Sequence, residues 1–225
     1  MSERQSELQA NLESVHNRAH AAFRARGSGD APTLIVVTKN FPASDAQLLY
    51  ELGVRDCGEN RDQEGSEKSA LLTSDIRWHF QGQIQGRKIA SIASWAAVVH
   101  SLDQLSHAEK FATLADRLEL PEFFLQVNLE PERTDRGGVA PSDLLRFIES
   151  LPQSVYGKTI GLMTVAPQSM QAAQAFEIVA GLSTQVRTAH PTLTCLSMGM
   201  SGDFEAAIAH GATHIRVGSS ILGSR

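Results

Sequence analysis

TLIVVTK, residues 33–39, places four aliphatic side chains in a row, Leu34 to Val37, and ends on a lysine. An apolar run with no polar alternation reads as a strand buried on both faces. Lysine is costly to bury, so its place at the end of such a strand needs a reason. Lys39 is either a solvated strand end or an amine held in a pocket, ready to condense with a carbonyl.

Outward from this run a beat repeats, a short β-rich stretch followed by a helix-length amphipathic one. The strand-like stretches are TLIVVTK, VRDCGE, IRWHFQG, AVVHSLD, FFLQVNL, TIGLMTV, LTCLSMG and THIRVGS. Helical stretches such as SDAQLLYEL, SHAEKFATLADRL, SDLLRFIESL, MQAAQAFEIVAGLSTQVRTAH and GDFEAAIAHG lie between them, several opening on a Ser or Asp suited to capping. Alternation of this kind builds a parallel sheet covered by helices, and eight units close a (β/α)8 barrel. An open doubly wound sheet is the main alternative; it usually carries a glycine-rich turn after its first strand, and TKNFPAS has no glycine. Before the first strand, Leu8, Leu12, Val15 and Ala19 predict an extra N-terminal helix over about residues 3–26, stopped by RGSGDAP. No linker interrupts the pattern, so residues 1–225 are expected to form one TIM-barrel domain.

The composition agrees with that reading. Hydrophobic residues make up 42% and charged residues 20% of 225, enough for a sizeable core. Twenty Lys+Arg against 25 Asp+Glu leave a net charge of -5 and no basic block, which argues against a nucleic-acid coat protein. Cys57 and Cys195 are far apart, without metal-ligand spacing, and suit a reducing compartment. The N-terminal stretch lacks the apolar core of a signal peptide or membrane span, so a cytoplasmic protein is expected.

In such barrels the active site lies at the C-terminal ends of the strands. Those ends offer Lys39; Glu59 and Asn60; His79; His100 and Ser101; Gln126 and Asn128; Met163 and Thr164; then SMGMSGD and RVGSS. Asn60 and Ser101 could equally cap the next helices, and His79 and His100 could be satisfied core residues. Gly199, Ser201 and Gly202 fall where a helix begins, and Gly218, Ser219 and Ser220 follow the eighth strand. Backbone N–H groups at two adjacent loops of this kind suit a phosphate. Arg216 shares a strand face with Gly218 and, if inward, needs a polar partner such as Glu59 or Asp203. A lysine facing a phosphate cup and an arginine suits pyridoxal 5'-phosphate, and equally a sugar-phosphate aldolase working through a Schiff base.

The C-terminal string LSMGMSGDFEAAIAHGATHIRVGSSILGSR resembles the signature of the pyridoxal phosphate homeostasis protein family. VVTKNFP, GENRDQE, WHFQGQIQGRK, VHSLD, LQVNL and GLMTV match the family's other blocks in order. The resemblance covers nearly the whole chain. It implies a barrel similar to the N-terminal domain of alanine racemase, with pyridoxal 5'-phosphate carried as a Schiff base on Lys39. It further implies cofactor contacts from Asn60, Met163, Ser201, Arg216, Gly218 and Ser219, with Arg216 toward the ring nitrogen. Departures are Thr38 where the family usually has Ser, GSSILG for a GTAIFG-like ending, HFQGQIQGRK in the third block, and the loop EPERTDRGGV at 130–139.

The function this implies is intracellular cofactor homeostasis, buffering pyridoxal phosphate and passing it to apo-enzymes, as a monomer without catalytic turnover and without nucleic-acid or membrane partners. The alternative is a pyridoxal-phosphate-dependent amino-acid racemase. That enzyme needs a tyrosine opposite the lysine, whereas Tyr50 and Tyr156 lie away from the strand ends.

Overall fold

The computed structural model describes residues 2–73, 75–133 and 136–223. Its first half runs α1 (Glu3–Arg26), β1 (Thr33–Val37), α2 (Ala43–Glu51), β2 (Asp56–Glu59), α3 (Asp62–Leu71), β3 (Arg77–Phe80), α4 (Ile89–Trp95), β4 (Val98–Leu102) and α5 (Leu105–Ala112). There follow β5 (Glu122–Gln126), a 3-10 turn (Pro141–Asp143), α6 (Leu144–Glu149), α7 (Gln153–Tyr156), β6 (Thr159–Met163), α8 (Ala172–Ala189), β7 (Cys195–Ser197), α9 (Phe204–Ala209), β8 (His214–Val217) and α10 (Ser219–Leu222). The eight strands are all parallel and close a barrel in sequence order, β8 pairing with β1 through Ile35 and Arg216. The TIM barrel expected from the alternating pattern is the fold.

Closure sorts each strand's side chains by the period of two. Val36, Cys57, Trp78, Phe80, Val99, Phe123, Leu125, Leu162, Leu196, Ile215 and Val217 face the helices and form the main hydrophobic core. The interior holds a much smaller apolar cluster of Val98, Phe124 and Met163. Much of the remaining interior is polar, with His79, His100, Ser197 and Arg216 all buried. A TIM barrel normally fills this space with branched aliphatics, so a polar interior is a feature to be explained.

Helix α1 forms as its pattern predicts. Ser2 caps it by accepting from the Gln5 N–H at 3.1 Å, and Leu8, Leu12 and Val15 are buried on one face. Each such burial contributes about 1.5–3 kcal/mol. That face packs on α9 and α10, and Asn11 Nδ2 and Arg4 Nη2 donate to the carbonyls of Ile221 (2.9 Å) and Leu222 (3.1 Å). The extra helix therefore pins the short α10, whose other end faces the barrel mouth.

Several expected boundaries shift. The helix read into residues 106–118 ends at Ala112, and residues 113–118 continue as tight turns bonded mostly three residues back. Strand β1 ends at Val37, so Lys39 lies two residues beyond it in an exposed turn, not on the strand. Helices α3 and α4 carry apolar patterns too weak for periodicity to mark them. Among the described residues no helix is long and apolar enough to cross a membrane.

Candidate functional site

At the C-terminal end of the barrel lies a cavity of about 560 Å³. Lys39, Asn60, Met163, Ser201, Arg216, Gly218 and Ser219, drawn from five different strand ends, all line it. Val37, Gln81, Gly82, Val165, Met200 and Gly202 complete the wall. Gln81 and Gly82 were missed in the sequence; the signal was available, since they directly follow β3. Glycine is required at 82, because a Cβ there would come 1.9 Å from the carbonyl oxygen of Asn60.

The lysine is presented by a clamped turn. Thr38 N–H donates to the Gly58 carbonyl (2.9 Å) and Thr38 Oγ1 donates to Glu59 Oε1 (2.5 Å). From α3, Lys68 Nζ donates to the Thr38 carbonyl (2.8 Å) and to Glu59 Oε1 (2.6 Å). On the other side of the lysine, Asn40 adopts φ 64°, a left-handed conformation that asparagine tolerates better than most residues, and its N–H donates to Glu64 Oε2 at 2.8 Å. The backbone on both flanks of Lys39 is thus fixed while its side chain is left to the cavity. Thr38 keeps the hydroxyl that serine would supply, so this departure leaves the clamp intact. Glu59 is buried, and desolvation pushes its carboxyl pKa up despite opposing contributions from Lys68 and Thr38.

Beside the lysine's strand, where β8 pairs with β1, the loops after β7 and β8 meet. Gly199 turns the first loop at φ 94°, where a Cβ would strike Ala207. Ser201 Oγ then accepts from the N–H groups of Gly218 (3.2 Å) and Ser220 (3.3 Å). Two backbone donors converging on one oxygen at this point form a small anion cradle.

Arg216 lies on β8, paired with Ile35 of β1. Its guanidinium is buried, with Nη1 donating to Ser197 Oγ (2.6 Å) and Nη2 to the Thr164 carbonyl (2.9 Å). The expected carboxylate partners are otherwise engaged, Glu59 by Lys68 and Thr38, and Asp203 by the Met200 N–H. Burial pulls the Arg216 pKa down to about 10, with Asp203 acting in the opposite direction. Neutral acceptors compensate a buried cation only in part, so the site favours an anionic or acceptor-bearing ligand. Among the described residues Asn60 Oδ1 is also buried without a hydrogen-bond partner, and it caps no helix. Ser101 does not cap either; its hydroxyl donates to the Gly82 carbonyl at 2.5 Å.

The other strand-end residues do different work. His79 and His100 lie inside the barrel, not at its mouth. Gln126 and Asn128 hold the loop after β5, Gln126 Nε2 donating to the Gly137 carbonyl (2.8 Å) and Asn128 Oδ1 accepting from the Glu130 N–H (2.9 Å). Within that 130–139 loop, Gly138 N–H donates to Asp103 Oδ2 (2.9 Å) and Ser169 bonds Glu130; Thr134 and Asp135 lie outside the described residues.

A primary amine, a buried guanidinium, a two-amide anion cradle, an unpartnered amide oxygen and the apolar walls of Val37, Met163 and Val165 suit a flat, phosphorylated aldehyde. Comparison with known proteins points the same way. The family model for the alanine racemase N-terminal domain matches residues 6–225. The pyridoxal phosphate homeostasis protein of Mycobacterium leprae is 37% identical, the alignment covering 98% of this chain and 94% of that protein. Its namesake in Corynebacterium glutamicum is 36% identical over 97% and 99% of the two chains. PipY of Synechococcus elongatus, solved with PLP bound, matches with a TM-score of 0.80 at 32% identity, over 96% of this chain and all of that one. The alanine racemase of Corynebacterium glutamicum shares the fold alone, with a TM-score of 0.69 at 12% identity over 96% of this chain and 60% of that one. With a near-complete match in length to relatives above one-third identity, and the same barrel, the chain belongs to the pyridoxal phosphate homeostasis protein family, built on the alanine racemase N-terminal domain.

Proposed function

We propose that this protein binds pyridoxal 5'-phosphate reversibly and serves as an intracellular reservoir of it, delivering the cofactor to apo-enzymes without turning over a substrate. The observation that carries this reading is the convergence of Lys39, Arg216 and the Ser201–Gly218 cradle on one cavity. The bound cofactor supplies an electrophilic aldehyde. The amine of Lys39 condenses with it, forming a Schiff base with loss of water, and the reverse hydrolysis releases the cofactor. Ser201, Gly218 and Ser219 hold the phosphate. Arg216 donates to the ring nitrogen and so disfavours its protonation, which makes the ring a weak electron sink. Asn60 and Met163 border the ring.

The positions of the tyrosines support the absence of turnover. Tyr50 sits on α2 with its hydroxyl on Asp75 (3.0 Å), and Tyr156 on α7 against His190 Nδ1 (3.1 Å). Both belong to the outer helices, so neither supplies the second base a racemase needs on the far face of its substrate. The reading includes one domain over residues 1–225, a monomer, and a cytoplasmic location.

Borohydride reduction of the loaded protein followed by peptide mapping should place the pyridoxyl group on Lys39. A label on Lys88, which pairs with Asp62 at 3.1 Å, or on Lys158, which pairs with Glu119, would sink the assignment. Incubation with L-alanine in deuterated water should give no accumulation of D-alanine over many equivalents. Multiple-turnover D-alanine formation that depends on Lys39 would establish the racemase instead.

Ser201→Ala removes the hydroxyl whose proton is donated to the phosphate in this reading. Losing one hydrogen bond to a charged group costs about 1.5–3 kcal/mol, so the dissociation constant for pyridoxal phosphate should rise roughly ten- to a hundredfold in a titration. Unchanged affinity would put the phosphate elsewhere.

A further inference from the structure

Below the cavity a chain of hydrogen bonds crosses the barrel interior. Arg216 Nη1 donates to Ser197 Oγ (2.6 Å), Ser197 Oγ meets His100 Nδ1 (2.8 Å), His100 Nε2 meets His79 Nδ1 (2.9 Å), and His79 Nε2 meets Asp56 Oδ1 (2.9 Å). Asp56 is the first residue of β2, at the opposite end of the barrel from the cavity, and its side chain is part-exposed there. Four strands, β8, β7, β4 and β3, hand the chain on to β2.

The two ends dictate the direction of every bond. A carboxylate only accepts, so His79 carries its proton on Nε2 and, when neutral, accepts at Nδ1. His100 must then donate from Nε2 and accept at Nδ1, which Ser197 satisfies with its hydroxyl proton. The serine oxygen keeps a lone pair for the guanidinium, which only donates. Burial favours the neutral form of both rings, lowering His79 against the pull of Asp56 and taking His100 well down, with His79, Arg216, His214 and Arg77 adding to the effect. Phe124 stacks on the His100 ring at 4.6 Å between centroids and fixes its plane.

We infer that Asp56, His79, His100 and Ser197 form a one-directional positioning chain that aims the Arg216 guanidinium at the cavity. Asp56 is thereby a distant positioning residue for the contact to the ring nitrogen. The chain gives the buried guanidinium an anionic terminus without placing a carboxylate beside it. A carboxylate in direct contact would compete with the ligand for the same N–H groups. Hydrogen bonds linked in one direction polarise one another in a low-dielectric interior, so the remote carboxylate is felt at the guanidinium. The inference rests on the reading of Arg216 as the ring-nitrogen contact.

The test has two readouts on the full chain. In 15N-labelled protein without ligand, NMR near neutral pH should show His79 and His100 neutral, each protonated on Nε2 and accepting at Nδ1. Titrations should then compare pyridoxal 5'-phosphate with its 1-deaza analogue, which has carbon in place of the ring nitrogen. The wild-type protein should prefer the natural compound by about ten- to a hundredfold, the value of one charge-assisted hydrogen bond. Asp56→Ala should lose most of that preference with little change toward the deaza analogue. Asp56→Asn, which keeps a carbonyl acceptor but loses the charge, should restore it in part. An Nδ1 proton on either ring, or an Asp56→Ala protein with the full wild-type preference, overturns the chain. A wild-type protein without preference overturns the ring-nitrogen contact itself, a failure that the tautomer spectrum tells apart from failure of the chain.

Discussion

Lys39→Ala is expected to abolish covalent capture of pyridoxal phosphate completely. The turn around residue 39 is held by Thr38, Glu59, Lys68 and Glu64 and not by the lysine side chain itself, so the substitution should leave the fold intact. The cradle and Arg216 remain, so a weakened, non-covalent affinity should persist, and borohydride should fix no label. The effect is visible in stability as well. A ligand at about a thousand times its dissociation constant stabilises the native state by about 4 kcal/mol. For a chain of this length that amounts to roughly 8–16 °C in Tm. At the same ligand concentration the variant should lose most of that shift, while its Tm without ligand stays near wild type. A variant that still takes up borohydride-stable label would transfer the role to another amine.

Lys68→Met should cost about 3–5 kcal/mol of folding stability, the usual effect of stranding one member of a buried ion pair. Both side chains are buried, and Glu59 Oε2 already has no partner, so the lost lysine leaves a carboxylate with the Thr38 hydroxyl alone. Against a typical total of about 5–15 kcal/mol this is a large fraction, readable as a lower midpoint in urea. The pH dependence has a definite sign. Glu59 has a folded pKa above its ordinary value of 4.5, because burial disfavours the charged form. In the window between those two values the folded state binds more protons than the unfolded one, so stability falls as pH rises through it. Without Lys68 the upward shift grows, so the deficit of the variant should shrink on acidification from neutral toward the raised carboxyl pKa. Glu59→Gln combined with Lys68→Met removes both charges and should recover much of the loss. An unfolding free energy within about 0.5 kcal/mol of wild type would show that the pair does not clamp the turn. Loss of the clamp should also weaken pyridoxal phosphate capture, since Lys68 Nζ holds the carbonyl just before Lys39.

The sequence by itself determined the barrel and the membership of its mouth. Alternating apolar runs and amphipathic stretches are local patterns, and in a parallel barrel every strand's C-terminal end faces the same side. A residue's distance from the end of its own strand therefore makes it a candidate for the mouth, and the family resemblance then picked Lys39, Asn60, Met163, Ser201, Arg216, Gly218 and Ser219 out of the longer list of strand-end residues. Only the tertiary structure decided what each of them touches. Arg216 was expected beside Glu59 or Asp203 but bonds Ser197 and Thr164. Lys68, an unremarked helix residue, proves to be the partner of Glu59. His79 and His100, near strand ends in the sequence, are hydrogen-bonded to each other inside the barrel on a line toward Asp56. These pairings join residues of different strands and helices. They depend on the stagger and tilt with which the sheet closes, and a period of two along each strand carries no information about that stagger.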